Sequence, residues 1–222
     1  MRVKGFAEAF LLALLPLLCP LASLTLCGRA ADLDDRALTN LSVRPVSVVW
    51  SYDATIVANL ADHEGQPLAH KTLVFELYYD DAWHGIGRSV TDDEGHAYLR
   101  YRADLIPGTY GLRAIFRGDV YYEPSNSTAT LTVEKIPTSL SVSPLITATY
   151  GDRVEIGIGL IDDRGRPVPG SPIQYQVDTW AEAKRVVTDD DGQVSIAMVA
   201  GLRPGRYGIR FSFEGDEYRL PT

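Results

Sequence analysis

Residues 91–121 read TDDEGHAYLRYRADLIPGTYGLRAIFRGDVY, and residues 188–218 read TDDDGQVSIAMVAGLRPGRYGIRFSFEGDEY. The two stretches share four landmarks in one order. Thr91-Asp92-Asp93-Glu94-Gly95 recurs as Thr188-Asp189-Asp190-Asp191-Gly192, and Pro107-Gly108-Thr109-Tyr110-Gly111 recurs as Pro204-Gly205-Arg206-Tyr207-Gly208. Gly118-Asp119 and Tyr121 recur as Gly215-Asp216 and Tyr218. Internal self-similarity of this kind marks repeated structural units and is read before any single element. Aspartate ahead of glycine is turn chemistry: the carboxylate accepts nearby backbone N–H groups, and glycine takes a positive φ without steric cost.

The repeat extends backwards. Leu41-Ser42-Val43 and Pro45 recur as Leu140-Ser141-Val142 and Pro144, and Gly65-Gln66-Pro67 as Gly165-Arg166-Pro167. The first copy carries three extra residues near Tyr79 to Asp81, which brings Trp83 opposite Trp180. Between the landmarks the apolar period is two. Ile56, Ala58 and Leu60 alternate with Thr55, Val57 and Asn59; Leu73, Phe75 and Leu77 alternate with Val74, Glu76 and Tyr78. One buried face per strand, with a turn signal every ten residues or so, predicts an all-β fold of antiparallel sandwiches. Seven strands are expected in the first copy, over 41–50, 54–61, 72–79, 86–91, 96–103, 109–117 and 127–134.

The chain of 222 residues suits two such units, since a sandwich of this class takes about 100. Residues 1–30 are expected to be a secretory signal peptide: basic Arg2 and Lys4, a leucine-rich run from Ala9 to Leu26, then Gly28 and Ala30 before the cut. An uncleaved signal anchor is the alternative, against which Pro16 and Pro20 interrupt the run. A linker over 31–38 precedes a first repeat at 39–135 and a second at 136–222. Pro221-Thr222 aligns with Pro124-Ser125, so nothing corresponds to the last strand of the first copy, and the second is expected to lack it and to be a fragment. The only cysteines, Cys19 and Cys27, fall in the leader; Leu26 stands where a lipobox requires a small residue. The mature chain therefore folds without disulfides.

These landmarks resemble the bacterial and archaeal immunoglobulin-like repeats of surface proteins, and are similar to repeats of the invasin and intimin type. The match is fullest in the second copy, at Tyr150-Gly151-Asp152, Asp162 to Gly170, Thr188 to Gly192, Gly205-Arg206-Tyr207 and Gly215 to Tyr218. The first copy departs from it at Trp50-Ser51-Tyr52 and at Leu68-Ala69-His70. The resemblance implies tandem immunoglobulin-like sandwiches in an extracellular, cell-surface protein. It implies a stalk, an adhesive segment or an appendage of a larger secreted enzyme alike. Further repeats of the same kind in one chain, and a protein or glycan partner at the cell surface, belong to that expectation.

Composition narrows the partners. A net charge of −8 argues against nucleic acid, because phosphate binding requires a basic stripe. Membrane contact is expected only through the signal or anchor segment. No nucleophile–base motif or glycine-rich phosphate loop is present, so no enzyme activity is expected. Three constellations stand out. His63, His70 and His96 fall at one end of the first sandwich beside Asp62, Asp92 and Asp93, where they either hold zinc or lie as exposed turn residues. Asp80, Asp81 and Asp104 face Asp162, Asp163, Asp189 and Asp216 across the short linker Glu134-Lys135-Ile136-Pro137. These either bridge calcium or cap backbone groups. Tyr78, Trp83 and Trp180 either present aromatic faces to a ligand or, for the tryptophans, plug the sandwich ends.

Overall fold

The computed structural model describes residues 36–143 and 145–222; the expected signal peptide over 1–30, most of the expected linker and both cysteines lie outside the described residues. The described chain contains fourteen strands and no helix. In the first repeat these are β1 (Thr39–Val43), β2 (Val46–Val49), β3 (Asp53–Asp62), β4 (Thr72–Tyr79), β5 (Ala82–Val90), β6 (His96–Arg102), β7 (Gly108–Phe116) and β8 (Ser125–Glu134). They form two sheets, β1-β3-β6 and β2-β8-β7-β4-β5. In the second repeat β9 (Thr138–Val142), β10 (Arg153–Asp162) and β13 (Gln193–Val199) form one sheet, ordered β13-β10-β9. β11 (Pro172–Val177), β12 (Lys184–Val187) and β14 (Ile209–Phe213) form the other, ordered β12-β11-β14. Both repeats are all-β sandwiches of the immunoglobulin-like kind.

The single strand expected at 41–50 is two strands. β1 pairs antiparallel with β3, whereas β2 runs parallel to β8 in the opposite sheet. Pro45 sits between them; it has no N–H to donate, so the ladder stops there and the chain crosses from one sheet to the other. The fifth strand also starts earlier than 86, at Ala82. The three extra residues make a tight hairpin in which Asp80 and Asp81 both take positive φ, 49° and 58°. That is the backbone of a two-residue turn of the first primed type, which aspartate tolerates. Pairing in the first repeat begins at Ala37, which bridges Tyr122, two residues ahead of the expected boundary.

Two hydrophobic clusters share no residue. The first is built on Ile56, Leu60, Leu73, Phe75, Leu77, Leu112 and Leu131, the second on Ile156, Ile158, Leu160, Ile173 and Phe213. The alternation read from the sequence is the alternation of burial: Leu73, Phe75 and Leu77 are fully buried and Tyr78 is exposed. The tight turns are also as read. The Tyr207 hydroxyl donates to the Arg203 carbonyl at 2.8 Å, and Tyr110 makes the same bond to Ile106.

The second sandwich is thinner at one edge. Phe213 and Thr222 exchange backbone bonds of 2.7 and 2.9 Å, the rung that Phe116 and Ser125 make in the first repeat. Beyond that rung β14 pairs only with β11 among the described residues. Ile209 and Phe211 are half-buried, while their counterparts Leu112 and Ala114, covered by β8, are fully buried. Among the described residues the counterpart of β2 is also absent, and Leu145 is exposed. The physical reason is pairing: β2 has only β8 to bond with.

Candidate functional site

The aspartates are turn residues first. Asp62 Oδ1 accepts the N–H groups of Glu64 and Gln66 at 2.9 and 2.8 Å, and Asp162 Oδ1 does the same for Arg164 and Arg166. Asp92, Asp119, Asp189 and Asp216 are bonded in the same fashion. Burial pushes the Asp162 carboxyl up, but the Arg166 backbone and guanidinium outweigh it and hold the group below the usual carboxylate range. At Asp119 the Lys71 ammonium is the leading cause of a depressed pKa.

The histidines are drawn to separate carboxylates: His63 to Glu64 at 3.9 Å, His70 to Asp93 at 3.6 Å and His96 to Asp92 at 3.8 Å. Among the described residues no group of three or more His, Cys, Asp or Glu side chains is arranged to hold a metal ion. Across the repeat junction, two of the seven aspartates bond to the other repeat: the Asp163 carboxylate accepts from the Tyr52 hydroxyl, and the Asp216 backbone carbonyl accepts from the Lys135 ammonium at 2.5 Å. Asp104 accepts from Tyr101 at 3.2 Å, and Asp80 and Asp81 make the β4–β5 turn.

The junction is aromatic and cationic instead. The Trp50 and Tyr218 rings lie 4.5 Å apart, and the Arg164 guanidinium stacks 3.3 Å over Tyr52. Burial and the Asp163 hydrogen bond raise the Tyr52 pKa. The linker is pinned as well: Ile136 is buried, its N–H donates to the Tyr218 carbonyl, and its carbonyl accepts from Leu220. Trp50-Ser51-Tyr52 was the first copy's departure from the repeat pattern. The departure supplies the two rings that meet the second repeat.

Tyr78 and Trp83 are a cross-strand pair on the outer face of the larger sheet, with ring centroids 5.3 Å apart. Trp83 therefore plugs nothing: it lies on the outside, with the Arg113 guanidinium 4.1 Å over its ring and Glu76 holding Arg113. Trp180 is half-buried, 5.9 Å from Tyr175, with Lys184 4.4 Å from its ring. The same outer face carries a cleft of about 340 Å³ near the start of β4, between Arg88 on β5 and Arg117 after β7. Sequence reading passed over these cations, because strand pairing, not proximity in the chain, brings residues 71, 88 and 117 together.

No protein-family model matches the chain, and no curated protein is similar to it. Among solved structures it is similar to bacterial adhesins of immunoglobulin-like build. Invasin, a bacterial integrin-binding protein, is 20% identical over 82% of this chain and 37% of that one, with a TM-score of 0.43. The adhesin InvE of Yersinia pseudotuberculosis is 13% identical over 83% of this chain and 56% of that one, at 0.37. Red sea bream transglutaminase is 14% identical over 82% of this chain and 30% of that one, at 0.42. The chain thus spans well under two thirds of the first of these.

Proposed function

We propose that this chain is a non-catalytic, secreted module of the cell surface, in which two immunoglobulin-like sandwiches act as a stiff stalk or adhesive segment. The junction carries this reading. A flexible tether would leave the linker solvated, but here the linker is hydrogen-bonded into the second sandwich, and Trp50, Tyr52 and Arg164 fill the contact between repeats. A tilted pair of rings and a guanidinium over a third ring restrict rotation at little entropic cost, since aromatic side chains have few rotamers to lose. Tyr121 and Tyr150 occupy, at the outer ends, the repeat positions that Tyr218 and Trp50 occupy in the junction, and both are more than two-thirds exposed. Such ends suit the addition of further modules of the same type in one chain.

Small-angle scattering on the secreted protein tests the stiff junction. The maximum dimension should be the same with calcium and with chelator, because aromatic and hydrogen-bonded contacts need no ion. Trp50→Ala should broaden the distance distribution. A wild type already as broad as the variant refutes the stalk reading. Assays on esters, peptides, glycans and phosphates should show no turnover, and activity abolished by a single histidine substitution would overturn the non-catalytic assignment.

A further inference from the structure

The geometry points to a binding site for a carboxylated sugar unit in the cleft between Arg88 and Arg117 on the first sandwich. The site is internal to that sandwich and independent of the stalk reading. Val74 on β4 pairs directly with Arg88 on β5 and with Ile115 on β7, so Arg88 and Arg117 approach the same outer surface from the two sides of β4. Val74 gives the cleft an apolar floor, and Thr72 supplies a hydroxyl. The carboxylate in its wall, Asp119, is already committed to Lys71 at 2.6 Å and to the N–H groups of Tyr121 and Tyr122. Among the described residues neither Arg88 nor Arg117 forms an ion pair. Two unpaired guanidiniums converge on one cleft in a chain whose net charge is −8.

The second repeat is an internal control. Gln174 pairs with Arg185 and Ser212 just as Val74 pairs with Arg88 and Ile115. There, however, Glu214 stands in the place of Arg117, and it neutralises Arg185 at 3.6 Å while also binding Gln174. The common scaffold closes this position with a carboxylate of its own. In the first repeat that carboxylate is replaced by a second cation, which leaves room and charge for one supplied from outside. The rim differs in the same sense. Gly170 takes a positive φ of 63° in the second repeat, and His70 takes 58° at the matching place in the first. A non-glycine residue held in that region is strained, and such strain gathers where a side chain has a task.

A guanidinium binds a carboxylate through paired N–H donors, and two guanidiniums on one surface orient it. The cleft lies at the lower end of the range of about 300–1,000 Å³ that ligand pockets span, so it admits a group of single-sugar size and not a folded surface. The hydroxyl of Thr72 and the His70 ring at the rim suit a polyhydroxylated ring that carries the acid.

Calorimetry at low salt with an oligogalacturonate, a polymer of carboxylated sugars, tests the site. The wild type should bind saturably and more weakly as salt rises, and a neutral galactose oligomer should not bind. Arg117→Glu, which recreates the arrangement of the second repeat, should weaken binding at least tenfold. Arg117→Ala should fall between, and Arg185→Ala should leave binding unchanged; an unaltered melting temperature checks the fold of each variant. Absence of saturable binding by the wild type, or Arg117→Glu with undiminished affinity, overturns the proposal. Poly-glutamate binding as tightly as the oligogalacturonate overturns the sugar assignment in favour of an acidic peptide.

Discussion

Replacing Thr91 by valine keeps the shape of a buried side chain and removes one oxygen, and it should cost the first sandwich about 2–4 kcal/mol. Thr91 is 1% exposed. Its hydroxyl donates to the Leu68 carbonyl at 2.5 Å and accepts the Lys71 N–H at 2.9 Å. The backbone of the same residue bonds to His70 and Lys71. Thr91 therefore staples the 68–71 segment, which leads into β4, onto the end of β5. Valine would leave a carbonyl and an N–H without their side-chain partner, at about 1–3 kcal/mol for each buried orphan. The added methyl returns about 0.8 kcal/mol. For a unit of this size, 1 kcal/mol moves the midpoint by about 4–8 °C, so the first transition should fall by roughly 8 °C or more. Urea and thermal unfolding of the chain, followed by hydrogen exchange resolved to each repeat, would read the effect. The loss should be confined to the first sandwich, and Thr188→Val should mirror it in the second, where Thr188 bonds Val168 at 2.8 Å and Ser171 at 2.9 Å. A first sandwich within 0.5 kcal/mol of wild type would show that water or backbone shifts satisfy both groups, and that the staple is not what the motif threonine supplies.

In a chain ended at Thr222 the second sandwich should unfold before the first in the same experiment, because β14 then pairs only with β11; appending the residues Asn126–Glu134 after Thr222, in the register that the Phe213–Thr222 rung sets, should raise its midpoint, and equal midpoints without the extension refute the open-edge argument. Gly192→Ala should destabilise the second repeat by more than about 1 kcal/mol in urea, since the new Cβ would sit 2.7 Å from the Leu160 carbonyl oxygen at a φ of +67°. Stability should be level above about pH 5 and fall as pH drops through the depressed pKa values of Asp119, Asp162 and Asp216, because the unfolded carboxyls take up protons first. Urea midpoints across that range, with Asp162→Asn showing a shallower acid loss, check the sign.

The local part of this protein was legible in its sequence. Asp92 to Gly95, Asp189 to Gly192 and the Pro-Gly-x-Tyr turns specify their own backbone, because the groups that bond there lie within four residues of one another. Alternation within 54–61 and 72–79 identified the buried face for the same reason: period two is a property of a single strand. What lay beyond the sequence depends on which strand lies beside which. Pro45 marked an interruption, but the transfer of β2 to the opposite sheet requires β8 to receive it. Trp83 could not be assigned to an end or a face until its register against Tyr78 was set. The facing aspartates suggested a metal, yet the carboxylates of Asp162, Asp189 and Asp216 serve turns of their own chain, and rings and a guanidinium lie at the contact between repeats. The paired cations of the cleft come from β5 and from the end of β7, nearly thirty residues apart, and only the pairing of both strands with β4 makes them neighbours.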